Sequence, residues 1–394
     1  MPWIESSPMD QKTQFIADYL RQTLSFTELC ALYHVSRKTG YKWVARYLES
    51  GGAGLEDRSP APHTCPHRTP PELAEAIVEA RRLHPTWGAG KLLALLGRRD
   101  PDRAWPSRSA ACALLARRGL VRRARRRRSP GHPGAPASLA AAPNELWSAD
   151  FKGQFKTGDG RYCYPLTVTD NFSRLLLGCR ALKSVCVADS REVFRALFRE
   201  YGLPRRIRTD NGVPFATVSL ARLSRLSAWW VRLGVLPELI EPGCPQQNGR
   251  HERMHRTLKA ETTRPPASGL RSQQRAFDRF REEYNRVRPH EALGMKTPAS
   301  LYEPSPRPYP ERPPPLEYPA HFETRYVSRN GGIRWRSDWV NVSITCAGEY
   351  VGLEEIDDGV WGVYFGPLKL GRLLEREMRI EDAYGKLWRH RQKV

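Results

Sequence analysis

The sequence predicts a multidomain chain: an α-helical N-terminal region built of helix-turn-helix units, a mixed α/β centre, and a small antiparallel β-barrel at the end. Three observations predict it. Apolar residues recur at helical spacing as far as Leu115, strand-like alternation interleaves with helical periods after Pro143, and beyond a proline-rich stretch at 304–319 alternate residues are apolar between glycine turns. At 394 residues the chain exceeds one ordinary core, since domains run about 100–200 residues.

The first unit carries apolar positions at Phe15, Ile16, Tyr19 and Leu20, at Leu29 and Leu32, and at Trp43, Val44, Tyr47 and Leu48. Ser36 is placed to cap a new helix after the turn at Tyr33-His34-Val35, which is helix-turn-helix spacing. In such a motif the start of the last helix faces the major groove of DNA, here Arg37, Lys38, Thr39, Tyr41 and Lys42, while Trp43 and Tyr47 turn to the core. The plainer alternative is a helical hairpin with a solvated basic face. Clustering of the cations at the helix start favours DNA.

A second unit starts at Pro71-Glu72, runs through Ile77 and Leu83, and continues past Trp87-Gly88 with Leu92, Leu93, Leu95 and Leu96. Ser107 caps a last helix that Gly119 ends, so a second helix-turn-helix is expected. Gly88-Ala89-Gly90-Lys91 is no ATP loop, because a P-loop needs a longer run between its glycines and a Ser or Thr after the lysine. From Arg117 to Arg128 arginine dominates, including Arg122, Arg123, Arg125 and Arg126, and residues 129–143 are rich in Pro, Gly and Ala. Like charges in a row repel unless a polyanion neutralises them, so this reads as an arm that tracks DNA, with a solubilising linker as the alternative.

In the centre, Leu146 to Phe151, Tyr162 to Thr169 and Arg174 to Ala181 read as an antiparallel meander, the last two strands joined by Asp170-Asn171-Phe172-Ser173. Val187 to Tyr201 is helical, Arg206 to Arg208 a strand, and Leu223, Leu226, Trp229, Trp230 and Leu233 mark another helix. A strand near Leu236 to Ile240 and a helix after Pro245 complete a mixed α/β core. Residues 304–319 form a stiff extended spacer. Beyond it Val340, Val342 and Ile344 alternate, as do Trp361, Val363 and Phe365, with turns at Asn330-Gly331-Gly332 and Asp357-Asp358-Gly359. These readings divide the chain into 1–62, a linker 63–70, 71–122, a basic linker 123–143, a core 144–303, a linker 304–320 and a terminal domain 321–394.

A formal net charge of +22 fits a nucleic-acid partner, and no stretch approaches the roughly 20 apolar residues that a bilayer requires. The N-terminus lacks a signal-peptide pattern, and the 8 cysteines form no CxxC pair, so a reducing cytoplasmic setting is expected, without disulfide framework or zinc ribbon. His63, Cys65 and His67 alternate, yet a structural zinc needs further ligands and none follow nearby; an exposed linker is the better reading.

Three carboxylates carry the chemistry: Asp150 inside an apolar strand, Asp210 at the end of the next sheet strand, and Glu252 early in the helix after Pro245. Brought together without cations they would repel one another, whereas two divalent ions about 3.5–4 Å apart would neutralise them and bridge a scissile phosphate. Hard oxygen ligands favour Mg2+, with Mn2+ as substitute. Arg256 and Lys259 share the helix face of Glu252 and are placed to hold DNA, or simply to balance charge. Asp170 also ends a strand, but its Asp-Asn-Phe-Ser setting is that of a turn, and Asp159 between glycines is weaker still.

The residues around these carboxylates resemble those of DDE-type insertion-sequence transposases, whose catalytic core is similar to retroviral integrases. The matching stretches are Leu146-Trp-Ser-Ala-Asp150-Phe-Lys-Gly, Ile207-Arg-Thr-Asp210-Asn-Gly, Pro245-Gln-Gln-Asn-Gly-Arg-His-Glu252-Arg and Tyr284-Asn-Arg-Val-Arg-Pro-His-Glu-Ala-Leu293, with Val35-Ser-Arg-Lys-Thr-Gly-Tyr-Lys-Trp43 upstream. The resemblance implies an RNase H-like core on a mixed five-stranded sheet and Asp150, Asp210 and Glu252 as catalytic and metal-binding residues for two Mg2+ ions. It also implies binding of double-stranded DNA, both the element's terminal repeats and the target, by a homo-oligomer that needs no ATP. The expected reaction is cleavage at the element's end followed by strand transfer.

The spacing from Asp210 to Glu252 is longer than usual for such cores, and the excess fits around the Trp229-Trp230 helix. Glu238 and Glu241 are the alternatives for the third acid, but they lack the basic helix that follows Glu252. Arg288-Pro289-His290 and Thr297-Pro298-Ala299 stand where the family would place its closing helix, and are read as structural. The rival functions are a DNA-binding regulator without catalysis and an RNase H-like nuclease.

Overall fold

The computed structural model describes residues 7–57, 68–121, 138–241 and 243–382. The expected arm residues Arg122, Arg123, Arg125 and Arg126, and the segment with His63, Cys65 and His67, lie outside them. The chain divides into two compact units, Met1–Arg68 and Thr69–Val394.

In the first unit α1 (Pro8–Arg21), α2 (Phe26–Leu32) and α3 (Arg37–Ser50) surround Phe15, Ile16, Leu29, Cys30 and Val44. Each helix starts where a serine side chain accepts an orphan amide: Ser7 from Asp10, Ser25 from Glu28, Ser36 from Thr39. Trp43 and Tyr47 pack on this core from its edge.

The second unit opens with α4 (Pro71–Leu83), α5 (Ala89–Arg99) and α6 (Arg108–Arg117), the last capped by Ser107 and closed at Gly119, φ +69°. These helices enclose Ile77, Trp87, Leu92 and Leu115. They dock on the centre through His84 Nδ1 to Glu283 Oε1 at 2.9 Å, Thr86 to Glu261 at 2.5 Å, and Arg98 donating to the Val287 carbonyl at 2.6 Å.

The sheet of the centre is built from β1 (Leu146–Phe151), a two-residue β2 (Phe155–Lys156), β3 (Tyr162–Asp170), β4 (Leu176–Leu182), β5 (Arg206–Thr209) and β6 (Leu236–Leu239). β3 pairs antiparallel with β1 and β4, as a meander should, while β1–β5 and β5–β6 are parallel. The five main strands thus run β4-β3-β1-β5-β6, with β2 a short addition beside β3. Strand β4 starts at Leu176 rather than Arg174, because Arg174, at φ +66°, still belongs to the turn.

Helices α7 (Val187–Tyr201) and α8 (Arg225–Arg232) cover one sheet face through Phe194, Phe198, Trp229 and Trp230. A short turn at Pro245–Asn248 leads into α9 (Gly249–Thr262), which covers the other face with α10 (Leu270–Glu282) through Met254, Leu258, Phe277 and Phe280. The closing helix is therefore α10, ahead of 288–299, where there are only short turns at Glu291–Leu293 and Pro298–Ser300. Its pattern is hard to read because only Gln273, Phe277 and Phe280 of it are buried.

The proline-rich stretch is extended but is not a free spacer. Arg307 donates to the Pro204, Leu233 and Gly234 carbonyls, and Tyr309 packs on the core, so the segment is strapped across α7 and α8.

The terminal region holds β7 (Glu323–Tyr326), β8 (Gly332–Trp335), β9 (Asp338–Asn341), β10 (Tyr350–Asp357), β11 (Val360–Phe365), β12 (Leu368–Leu374) and β13 (Arg379–Asp382). They make an antiparallel sheet β13-β12-β11-β10-β7 and a separate hairpin β8-β9. No ladder joins β13 to β7 among the described residues, so the expected barrel is observed as an open sheet packed with a hairpin around Trp335, Val340, Val363 and Phe365. Ile344 leaves the expected alternation: it sits in a helical turn and is 62% exposed.

Candidate active site

Alternation along β1 decides where Asp150 points. Trp147 and Ala149 join the core under α7 and α8, so Ser148 and Asp150 face α9. The parallel register pairs Leu146 with Arg206 and Ser148 with Arg208; carried two residues further it brings Asp150 level with Asp210, just past the end of β5. Asp210 is held there by a tight turn in which the Gly212 amide donates to its Oδ1 at 3.2 Å. Asn211 anchors the turn from below, donating to the Ile240 carbonyl and accepting from Arg222.

Electrostatics report the same convergence. Burial, then repulsion from Asp210 and, more weakly, from Glu252, pushes the Asp150 carboxyl up to about 7. Asp210 is also raised, by burial. Glu252 lies in the first turn of α9 on its exposed side, with Arg256 and Lys259 exposed on the same face. As placed, no three His, Cys, Asp or Glu side chains among the described residues are gathered closely enough to hold one ion. Half-buried carboxylate oxygens that repel one another are nonetheless a donor set that suits a hard divalent cation, and Asp150 and Asp210 are the residues that could hold one, with Glu252 within electrostatic reach.

The other acids have different roles. Asp170 is buried opposite Trp147, at the far end of β1, and accepts from the Asn144 amide at 2.9 Å and from the Ser173 amide and hydroxyl at 2.7 Å. It fixes the turn between β3 and β4. Asp159 is bound by its own loop through Thr157 and the Arg161 amide. Glu238 is tied to Arg206 and Arg208 and accepts from Ser138, which leaves it no freedom to act.

The sequence reading missed what lies beneath Asp150. On α9, His251 and His255 turn inward on a polar seam of the sheet: Thr167 Oγ1 is 2.7 Å from His251 Nε2 and 2.6 Å from His255 Nε2, and Thr169 Oγ1 is 2.9 Å from His251 Nδ1. Thr167 Oγ1 donates to the Asp150 carbonyl at 3.1 Å. Its only hydrogen being used there, both Nε2 atoms must donate to it, and His255 Nδ1 is left bare at 3.6 Å from Asp150 Oδ2. Burial holds His251 down to about 3 and His255 below the usual imidazole range, so both stay neutral. A signal was present: His251-Glu252-Arg253-Met254-His255 has the H-E-x-x-H spacing by which helices bind zinc. Here both rings face the threonines while Glu252 faces solvent, so the pair supports β3 in the middle of the sheet instead.

Of the expected DNA contacts, Arg37, Lys38, Tyr41 and Lys42 are exposed at the start of α3, Tyr41 stacking on Phe26 at 4.1 Å. Thr39 is half-buried with its hydroxyl 2.9 Å from that of Ser36.

A mixed sheet bearing paired carboxylates where two parallel strands end defines an integrase-type core. The Integrase core domain models match residues 140–245 and 233–298, a Helix-turn-helix domain model matches 11–63, and a Homeodomain-like domain model matches 39–115. The chain is 30% identical over 234 residues to the Insertion element IS407 uncharacterized 31.7 kDa protein of Burkholderia multivorans, covering 58% of this chain and 80% of that protein. It is 32% identical over 120 residues, 30% of this chain, to the Gag-Pol polyprotein of Avian reticuloendotheliosis virus, of which it spans only 10%. Among solved structures, the HTLV-2 integrase catalytic core domain in complex with magnesium is similar over 41% of this chain and 99% of that one, at 17% identity and a TM-score of 0.34. A chain of the simian T-cell lymphotropic virus intasome in complex with PP2A regulatory subunit B56 gamma is similar over 74% and 97%, at 17% identity and 0.37. The chain belongs to the insertion-sequence transposase family with an integrase-like core and N-terminal helix-turn-helix domains. Its helix-turn-helix units make it a DNA-binding protein, and among the described residues no helix is long and apolar enough to cross a membrane.

Proposed function

We propose that this protein binds the terminal repeats of its insertion sequence and catalyses DNA cleavage and strand transfer, with Asp150, Asp210 and Glu252 as the catalytic carboxylates. The observation that carries the reading is the parallel register of β1 and β5, which brings Asp150 level with Asp210, where burial and the charges of Asp210 and Glu252 push the Asp150 carboxyl up. Acids held together at such cost, on a chain of net charge +22, fit cation-assisted work on a polyanion.

In this reading Asp150, Asp210 and Glu252 would hold two divalent ions, Mg2+ by preference and Mn2+ as substitute. Bound there, the ions supply Lewis-acid activation of the attacking oxygen and neutralise charge on the phosphate. The chain's own groups do the rest. Thr167, held by His255, fixes the Asp150 backbone from below, the Gly212 amide orients Asp210, and Arg256 and Lys259 hold the strand beside Glu252. Arg37, Lys38, Thr39, Tyr41 and Lys42 read the repeat, and two ends are joined by a homo-oligomer without ATP in the compartment that holds the DNA.

The test is incubation with terminal-repeat DNA, Mg2+ and a supercoiled target. Asp150→Ala, Asp210→Ala and Glu252→Ala should each abolish cleavage and joining while repeat binding persists. Binding by the unaltered protein with no Mg2+-dependent cleavage would mark a regulator, and cutting without joining a nuclease; normal joining by Asp210→Ala would remove that residue from the site.

A further inference from the structure

Helices α7 and α8 and the terminal sheet wall a cavity of about 510 Å³ whose charged lining is four guanidinium groups, Arg191, Arg225, Arg232 and Arg329, against one carboxylate, Glu349. Glu349 is already paired with Arg232, Nη1 to Oε1 2.9 Å, and the buried Nε of Arg232 has no hydrogen-bond partner. Arg191 lies over the Trp229 ring at 5.0 Å, which fixes its stem and leaves its charge unneutralised, while Arg225 and Arg329 stand exposed at the rim. Gathering like charges around a hollow costs free energy that a bound polyanion would offset.

The cavity does not stand alone. A neighbouring cleft of about 860 Å³ shares Arg225, Ile344 and Thr345 with it and reaches Val213 and Pro214, in the loop that follows Asp210. Its walls are largely apolar, with Val213 68% and Val218 67% exposed. Together the two form one groove, basic at one end and reaching the loop after Asp210 at the other.

We propose that this groove is a path for a DNA strand, with backbone phosphates in the arginine cavity and the strand running along the apolar cleft to the loop after Asp210. Phosphates suit the basic end because guanidinium forks bind them sequence-independently, and sugars and base edges suit apolar walls. The assignment rests on the reading that the chain acts on DNA, and charge complementarity selects the occupant.

The experiment measures affinity for duplex and single-stranded DNA at several salt concentrations, for the full chain, Arg225→Gln/Arg329→Gln, Arg329→Gln alone, and Arg195→Gln. Removing one phosphate-binding arginine should make the plot of log affinity against log salt shallower by about one, so the slope should fall by about two in the double variant and by about one in the single. Arg195, paired with Glu192 on α7 and absent from the cavity lining, should leave the slope unchanged. The single variant keeps the test valid if the double fails to fold. A slope in the double variant equal to that of the full chain overturns the groove as a path for DNA. A flat salt response in the unaltered chain would instead sink the DNA reading itself.

Discussion

Nδ1 of His255 lies 3.6 Å from Oδ2 of Asp150, and the same ring holds Thr167 on its other nitrogen. His255, on the helix that carries Glu252, therefore acts on Asp150 through Thr167, whose hydroxyl donates to the Asp150 carbonyl. Removing such outer partners typically costs about 10–100-fold in metal affinity or activity. His255→Ala should raise the Mg2+ concentration needed for cleavage by about that factor with repeat binding retained, and His255→Gln, whose amide can still donate to Thr167, should lose less. An unchanged magnesium titration in His255→Ala would show that the contact is idle.

The acidity of Asp150 has a direction that can be checked. Its folded value of about 7 stands above the ordinary 3.8, so between them the folded chain keeps a proton that the unfolded chain has released. Stability from this group is then present at low pH and lost as pH rises through that window. In EDTA, the Tm of Asp150→Asn relative to the unaltered protein should grow from pH 4 to pH 7; a constant difference would mean that the carboxyl is not strained.

Arg208, 2% exposed, and the half-buried Glu238 form an ion pair that pins β5 to β6. Breaking it leaves Glu238 half-buried with only Arg206 and Ser138, and losing a charged hydrogen bond of this kind costs about 1.5–3 kcal/mol. Arg208→Met should lower stability to urea by roughly that amount, and Arg208→Met/Glu238→Leu should recover much of it. Glu238→Gln should keep cleavage, and a catalytic null there would reinstate Glu238 as the third acid.

Gly40 lets α3 approach α2 closely, since a Cβ at that position would lie 2.8 Å from Cys30 Sγ and 2.9 Å from Phe26 Cζ. Gly40→Ala should destabilise the first helical unit by about 1–3 kcal/mol and weaken repeat binding. Mg2+-dependent cutting by the second unit on a short pre-loaded end should survive, and loss of repeat binding without any loss of helical signal on heating would point instead to direct DNA contact.

Local order along the chain determined much of this protein. Ser36 and Ser107 announce their helices because a cap is a short-range bond; Leu146 to Phe151 and Val187 to Tyr201 declare themselves by period; and the contexts of Asp150, Asp210 and Glu252 were legible from their neighbours. Only the tertiary structure decided what depends on contacts between distant segments. It showed His251 and His255 buried on Thr167, Glu238 consumed by Arg208, the 304–319 stretch strapped down by Arg307, and the terminal strands left as an open sheet. A cap or a period is written within a few residues, whereas which polar groups neutralise one another in a core depends on a register that the sequence does not spell out.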